Sequence, residues 1–88
     1  MTKKIKKAKE NLSNLPSKDG NYNLINRKGE IVYTGQGNIK DRISTHSNEP
    51  DKPFTSFTYN LEPSARKRKQ TEEQRIKRYK PPLNKQKK

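Results

Sequence analysis

The stretch that most restricts what this chain can fold into is a glycine-bearing turn between two short apolar runs. Tyr22-Asn23-Leu24-Ile25 leads into Arg27-Lys28-Gly29, and Ile31-Val32-Tyr33 follows. Such runs read as a β-hairpin, with strands over residues 20–26 and 30–35. The register is open. With Lys28-Gly29 as a two-residue loop, Leu24 faces Tyr33 and Tyr22 faces Gly35, and the two tyrosines stand on one face as diagonal neighbours about 7 Å apart. A three-residue loop puts them on opposite faces. Taken singly, each tyrosine is an ordinary half-buried strand residue.

The rest of the chain supplies elements to pack on the hairpin. Gly35 and Gly37 end the second strand. Asn38 is a good N-cap for a helix over about 39–47, with Ile39 and Ile43 toward the sheet. Pro50 and Pro53 make residues 48–53 a loop. Aromatic and β-branched residues mark 54–60 as a third strand. Pro63-Ser64 opens a last helix to about Tyr79, closed by Pro81-Pro82. The order is β-β-α-β-α: an α+β fold with a small three-stranded antiparallel sheet flanked by helices. Residues 1–15 form a basic segment in which Ile5, Ala8, Leu12 and Leu15 are spaced for a loose helix. The domain spans 16–84, and 85–88 is a basic tail.

Only 24% of the 88 residues are hydrophobic, which allows one domain with a small core. A domain this small buries about 60% of its unfolded surface. No cysteine is present, so neither a disulfide framework nor a thiolate metal site staples it. No apolar run approaches the roughly 20 residues that span a bilayer. The opening MTKKIKKAKEN lacks the apolar stretch of a secretory signal. A cytoplasmic, reducing location fits these features. Twenty-two Lys and Arg against nine Asp and Glu give a net charge of +13. Such a field attracts polyanions, nucleic acid above all. An anionic membrane surface would want an amphipathic helix with bulky apolar residues, and neither basic end has one.

Three polar residues sit where chemistry could use them. Arg42 and His46, four apart, are neighbours on one flank of the first main helix. Each also has an ordinary reading: Arg42 solvated or paired with Asp41 or Glu49, His46 structural. On the last helix, counting about 100° per residue places Glu72 on one stripe with Ala65, Ile76 and Tyr79, the side expected to face the sheet. A carboxylate there costs several kcal/mol (roughly 2–7) unless something satisfies it. The alternative is a capping box, Thr71-x-x-Gln74, which requires the helix to start at Thr71.

Taken in order, these pieces resemble the GIY-YIG nucleases. Gly20-Asn21-Tyr22 and Tyr33-Thr34-Gly35 are similar to the family's two motif words. Gln36-Gly37-Asn38-Ile39-Lys40-Asp41-Arg42 resembles the loop and arginine-bearing helix that follow, with His46 four residues on. EEQRIKRYKPPLN resembles the family's glutamate helix and its Pro-x-Leu-Asn ending. Registering on Ile76, Tyr79, Pro81 and Asn84 selects Glu72 rather than Glu73 as the metal-binding carboxylate. The resemblance covers about residues 16–84. Asn21 and Thr34 stand where the motif words carry aliphatic residues, and Gln36 where many relatives carry lysine.

The resemblance implies a phosphodiester hydrolase using Mg²⁺ (or Mn²⁺). Glu72 would hold the metal and Arg42 the scissile phosphate, whose geometry suits a guanidinium fork. Tyr22 and Tyr33 would position or deprotonate the attacking water, a base role that needs nearby cations to lower a hydroxyl pKa near 10. His46 could share that role, and Asn84 would orient the site through its side-chain amide. Lys40, Arg66, Lys67, Arg68, Lys69 and Arg75 would meet backbone phosphates, which bind without reading sequence. DNA is favoured over RNA by the resemblance alone. A non-catalytic nucleic-acid-binding module on the same fold is the rival reading. Repair, phage, mobile-element and toxin contexts are all open, and a toxin would need an immunity protein as partner.

Overall fold

A computed structural model describes residues 4–48 and 54–84. In chain order the elements are β1 (Ile5–Lys6), α1 (Lys9–Ser13), β2 (Asp19–Ile25), β3 (Ile31–Asn38), α2 (Ile39–Ser47), β4 (Ser56–Leu61) and α3 (Ala65–Tyr79). They form an α+β fold around one antiparallel sheet with strand order β1-β4-β2-β3. The sheet has four strands, not the expected three, because Ile5 pairs with Phe57 and Lys6 with Ser56. The basic N-terminal segment is therefore part of the packed structure: Leu15 is in the core, and Ile5 and Leu12 pack against it. The helix expected from Ile5 onward begins only at Lys9. A short solvated helix is marginal, whereas strand pairing lets Ile5 cover the core edge. Most of the expected 48–53 loop, residues 49–53, and the tail 85–88 lie outside the described residues.

The hairpin turn is built by Asn26. Its N–H donates to the Glu30 carbonyl at 2.9 Å, and its carbonyl accepts from the Gly29 N–H at 3.0 Å. Its Oδ1 accepts from the N–H groups of Lys28 and Glu30, both at 2.9 Å. Gly29 takes a left-handed φ of 86° that closes the turn without a Cβ penalty. The loop proper is thus Arg27-Lys28-Gly29, the three-residue length that by plain alternation would separate the tyrosines. A bulge reverses that outcome. Ile25 pairs with Ile31 but Leu24 pairs with Tyr33, leaving Val32 as the extra residue. Every later pair shifts by one, so Tyr22 opposes Gly35 and shares a face with Tyr33.

Gly35 and Gly37 do not end β3. The strand runs through both to Asn38, pairing Gly35 with Tyr22 and Gly37 with Gly20. A Cβ on Gly35 would lie 2.5 Å from the Tyr22 Oη and 2.6 Å from its Cζ. A Cβ on Gly37 would lie 3.0 Å from the Arg42 Nε, at a backbone φ of 133°. These glycines are gaps through which two side chains cross the strand, and they leave the ladder intact.

The two sheet faces differ in kind. Tyr22, Leu24 and Phe57 share a face with the buried Ile39 and Ile43 of α2, completed by Leu15 and Phe54. Asn38 caps α2, its Oδ1 accepting from the Asp41 N–H at 3.1 Å. By strand alternation Asn21, Asn23 and Thr34 point the other way. There the Asn21 Nδ2 donates to the Arg68 carbonyl of α3 at 3.0 Å. No residue of α3 is fully buried. Its half-buried residues, Arg68, Thr71, Glu72, Arg75 and Ile76, form a mostly polar stripe at helical spacing. Ala65 and Tyr79, expected to face the sheet, are exposed. Hydrogen bonds rather than apolar area hold this helix to the sheet.

Candidate active site

The hairpin register brings the two strand tyrosines together, with ring centroids 6.2 Å apart and planes 28° from parallel. His46, in the last turn of α2, completes the group. Its ring is 5.6 Å from that of Tyr22 and meets Tyr33 edge-on at 4.9 Å. The Tyr22 hydroxyl and the His46 Nε2 share a buried hydrogen bond of 2.8 Å. His46 reaches this position because Ile39 and Ile43, on the same side of α2, are driven into the core. Tyr22 and His46 are buried, while Tyr33 is partly open.

Arg42 and Glu72 come from helices packed on opposite faces, yet both bear electrostatically on the Tyr22 hydroxyl. Arg42 lies across β3 over Gly37 and is exposed. Neither its guanidinium nor the half-buried Glu72 carboxylate makes a hydrogen bond or ion pair among the described residues. The capping-box alternative for Glu72 does not hold. The helix begins at Ala65, and Ser64 caps it by accepting from the Lys67 N–H at 3.3 Å. Glu72 is therefore a mid-helix carboxylate.

Burial pushes the Tyr22 hydroxyl far above the ordinary tyrosine range. The neighbouring Tyr33 adds to the rise, Arg42 opposes it, and Glu72 and a hydrogen bond with Tyr33 add further. The lowering by nearby cations that a base role for Tyr22 would need is therefore not met. Loss of water around a fully packed phenol outweighs one exposed guanidinium. At neutral pH Tyr22 is a protonated hydroxyl.

Asn84 braces the strand that carries Tyr33. Its Oδ1 accepts from the Thr34 N–H at 2.6 Å, and its Nδ2 donates to the Thr34 carbonyl at 2.8 Å. The Leu83 N–H donates to the carbonyl of the bulged Val32 at 2.9 Å. The segment after α3 thereby covers the outer edge of β3 on both sides of Tyr33. Lys80 makes this return by a left-handed turn at φ 46°.

Two of the expected phosphate contacts are engaged elsewhere. Arg68 donates from Nε to the Gln36 Oε1 and from Nη1 to the Glu62 and Pro63 carbonyls, all at 3.0 Å. Its Nη1 also lies 3.7 Å from Asp19. Arg75 donates to the Asn60 Oδ1 at 3.1 Å, and burial lowers its guanidinium from the usual arginine value. Among the described residues its Nη1 is buried without a hydrogen-bond partner, as are the Oδ1 atoms of Asn21 and Asn23. Both arginines fasten α3 because the face beneath it carries amide side chains in need of donors. Lys40, Arg66, Lys67 and Lys69 are exposed.

Sequence reasoning missed this fastening. Asn21 and Thr34, the two polar departures within the motif words, lie on the face away from the tyrosines with Gln36, which is two residues beyond Thr34 and pairs with Asn21. Asn21 and Gln36 both bond to Arg68, so this shared polar face was the available signal.

No three His, Cys, Asp or Glu side chains gather in one place among the described residues. The donor set facing the hydroxyl cluster is one free carboxylate, Glu72. That fits a hard divalent ion that keeps most of its waters and takes its remaining oxygen from a substrate phosphate. No helix among the described residues is long and apolar enough to cross a membrane. No protein-family model matches the sequence, and no curated protein matches it.

Proposed function

We propose that this chain is a divalent-metal-dependent endonuclease of the GIY-YIG type, cutting phosphodiester bonds in nucleic acid with little sequence preference. The observation that carries the reading is the Tyr22–His46 hydrogen bond, flanked by Tyr33, with Arg42 and Glu72 both acting on the same hydroxyl. The half-buried Glu72 carboxylate stands unpaired among the described residues beside that cluster, a costly placement unless a cation joins it.

Each group has a task. The exposed Arg42 holds the scissile phosphate and offsets charge developing on its oxygens. Glu72 would hold Mg²⁺ or Mn²⁺, which when bound supplies positive charge at the phosphate and eases departure of the leaving oxygen. Tyr33, the more open hydroxyl, positions the attacking water. Tyr22, kept protonated by burial, passes a proton to the His46 Nε2 as it accepts one from the water side. The imidazole is then the final base. Asn84 keeps Tyr33 in place through the β3 edge. The exposed cations Lys40, Arg66, Lys67 and Lys69 bind the backbone. DNA is favoured over RNA by resemblance.

Plasmid nicking with Mg²⁺ tests the reading. Wild type should cut, while Arg42→Ala and Glu72→Ala should each lose about 100-fold or more in rate. Equal cutting by all three would reveal a contaminant or a wrong site. Salt-sensitive binding without cleavage in either metal would leave a binding module.

A further inference from the structure

Tyr79 is a landmark of the sequence to which the proposed site gives no task. It is 44% exposed, one of two large hydrophobic side chains left open among the described residues, the other being Leu61. Together with Ile31, Val32 and Pro82 it walls an open groove of about 490 Å³, closed at the turn end by Gly29 and Glu30. The Arg78 guanidinium lies over the Tyr79 ring, 5.7 Å from its centroid. At the other end the Lys4 Nζ is within 3.6 Å of where a Gly29 Cβ would stand. An apolar floor with one aromatic wall, a planar cation and a second cation at the far rim suits a flat, neutral ring carried on an anionic strand.

The groove adjoins the proposed site. Tyr79 follows Glu72 by seven residues, about 20° short of two full turns and roughly 10 Å along the helix. On the strand side Val32 is next to Tyr33. Glu30 argues for a base and against a phosphate. Its carboxylate, held by the Asn26 Nδ2 at 3.0 Å, repels an anion but can accept from an exocyclic amine. We infer that this groove binds an unpaired nucleobase, stacked on the Tyr79 ring that Arg78 backs, and that the chain prefers substrates with single-stranded nucleotides beside the scissile phosphate. Base stacking on aromatic and guanidinium planes is the usual anchor for single strands. A duplex keeps its bases stacked on one another and cannot fill the groove.

The inference rests on the nucleic-acid reading above, and its test is independent of cleavage. Binding is measured by fluorescence anisotropy in chelator, with a short single-stranded oligonucleotide and a duplex of equal length. Tyr79→Ala should weaken single-strand binding about tenfold, the effect of losing one base stack, and leave duplex binding unchanged. Leu61→Ala, equally exposed, should alter neither. Tyr79→Trp places the only tryptophan in the chain, and its emission should be quenched by the single strand. Unchanged single-strand affinity in Tyr79→Ala, an equal loss in Leu61→Ala, or an unquenched Tyr79→Trp at saturation would overturn the inference. Failure of the wild type to cut with any metal would sink the nuclease reading and leave this result standing.

Discussion

Gly35→Ala sets two physical rules against each other. Alanine in a strand normally gains about 0.5–1 kcal/mol over glycine, because the unfolded chain loses less freedom. Here the new methyl would sit 2.5 Å from the Tyr22 Oη and 2.6 Å from its Cζ, far inside contact distance. The phenol cannot swing away, since Tyr22 is 2% exposed and hydrogen-bonded to His46. Overpacking of this kind costs about 1–3 kcal/mol, and a displaced hydrogen bond about 1 more. After the backbone gain the net loss is about 1–3 kcal/mol, a large share of the few kcal/mol (about 5–15) that a small domain has. Urea unfolding followed by circular dichroism reads it directly. With a slope near 1 kcal/mol/M, the midpoint should fall by about 1–3 M. In a Tyr22→Leu background, which has no atom at the Cζ position, the same substitution should cost less than about 0.5 kcal/mol. A raised midpoint in the wild-type background, or equal costs in both, would refute the view that Gly35 exists to let Tyr22 cross β3.

The other outcomes separate anchoring cations from surface ones and fix the state of Tyr22. Arg68→Ala should lose about 2–3 kcal/mol of stability by removing the guanidinium bonds to Gln36, Glu62 and Pro63. Arg66→Ala should stay within about 0.5 kcal/mol but reduce the salt slope of nucleic-acid binding by about 1. Asn84→Ala strands the Thr34 N–H and carbonyl, so stability should drop by about 1–3 kcal/mol, with faster hydrogen exchange at Thr34. Because folding raises the Tyr22 hydroxyl above its unfolded value of 10.0, its contribution is intact below pH 10 and declines as pH rises beyond it, by about 1.4 kcal/mol per pH unit. Ultraviolet titration should show one of the four tyrosines ionising only with unfolding, and Tyr22→Phe should abolish that alkaline slope.

Much of the fold could be read locally. Asn38 before Ile39 and Ser64 before Ala65 are capping choices visible within a few residues, and the helices start where they predict. The turn at Asn26–Gly29 and the apolar runs beside it likewise specify a hairpin. The candidate site was legible as far as residue types and order: Tyr22, Tyr33, Arg42, His46 and Glu72 stand out by motif and spacing alone. What local pattern could not supply was the face on which each would lie. The bulge at Val32 decides whether Tyr22 and Tyr33 meet, and bulges are selected by packing on both sides of a strand.

The sequence by itself determined the starts of the two longer helices, the hairpin, the polyanion-attracting charge and the identities of the polar residues. Only the tertiary structure decided that Gly35 and Gly37 continue a strand, because the reason is a Tyr22 ring and an Arg42 side chain arriving from other elements. It also decided that Arg68 and Arg75 bind the protein's own amides rather than phosphate, and that Ile5 pairs with Phe57 across the sheet. In each case the deciding energy comes from a contact between residues distant in sequence. A window of neighbouring residues carries the propensity for an element, but not the partner that completes it.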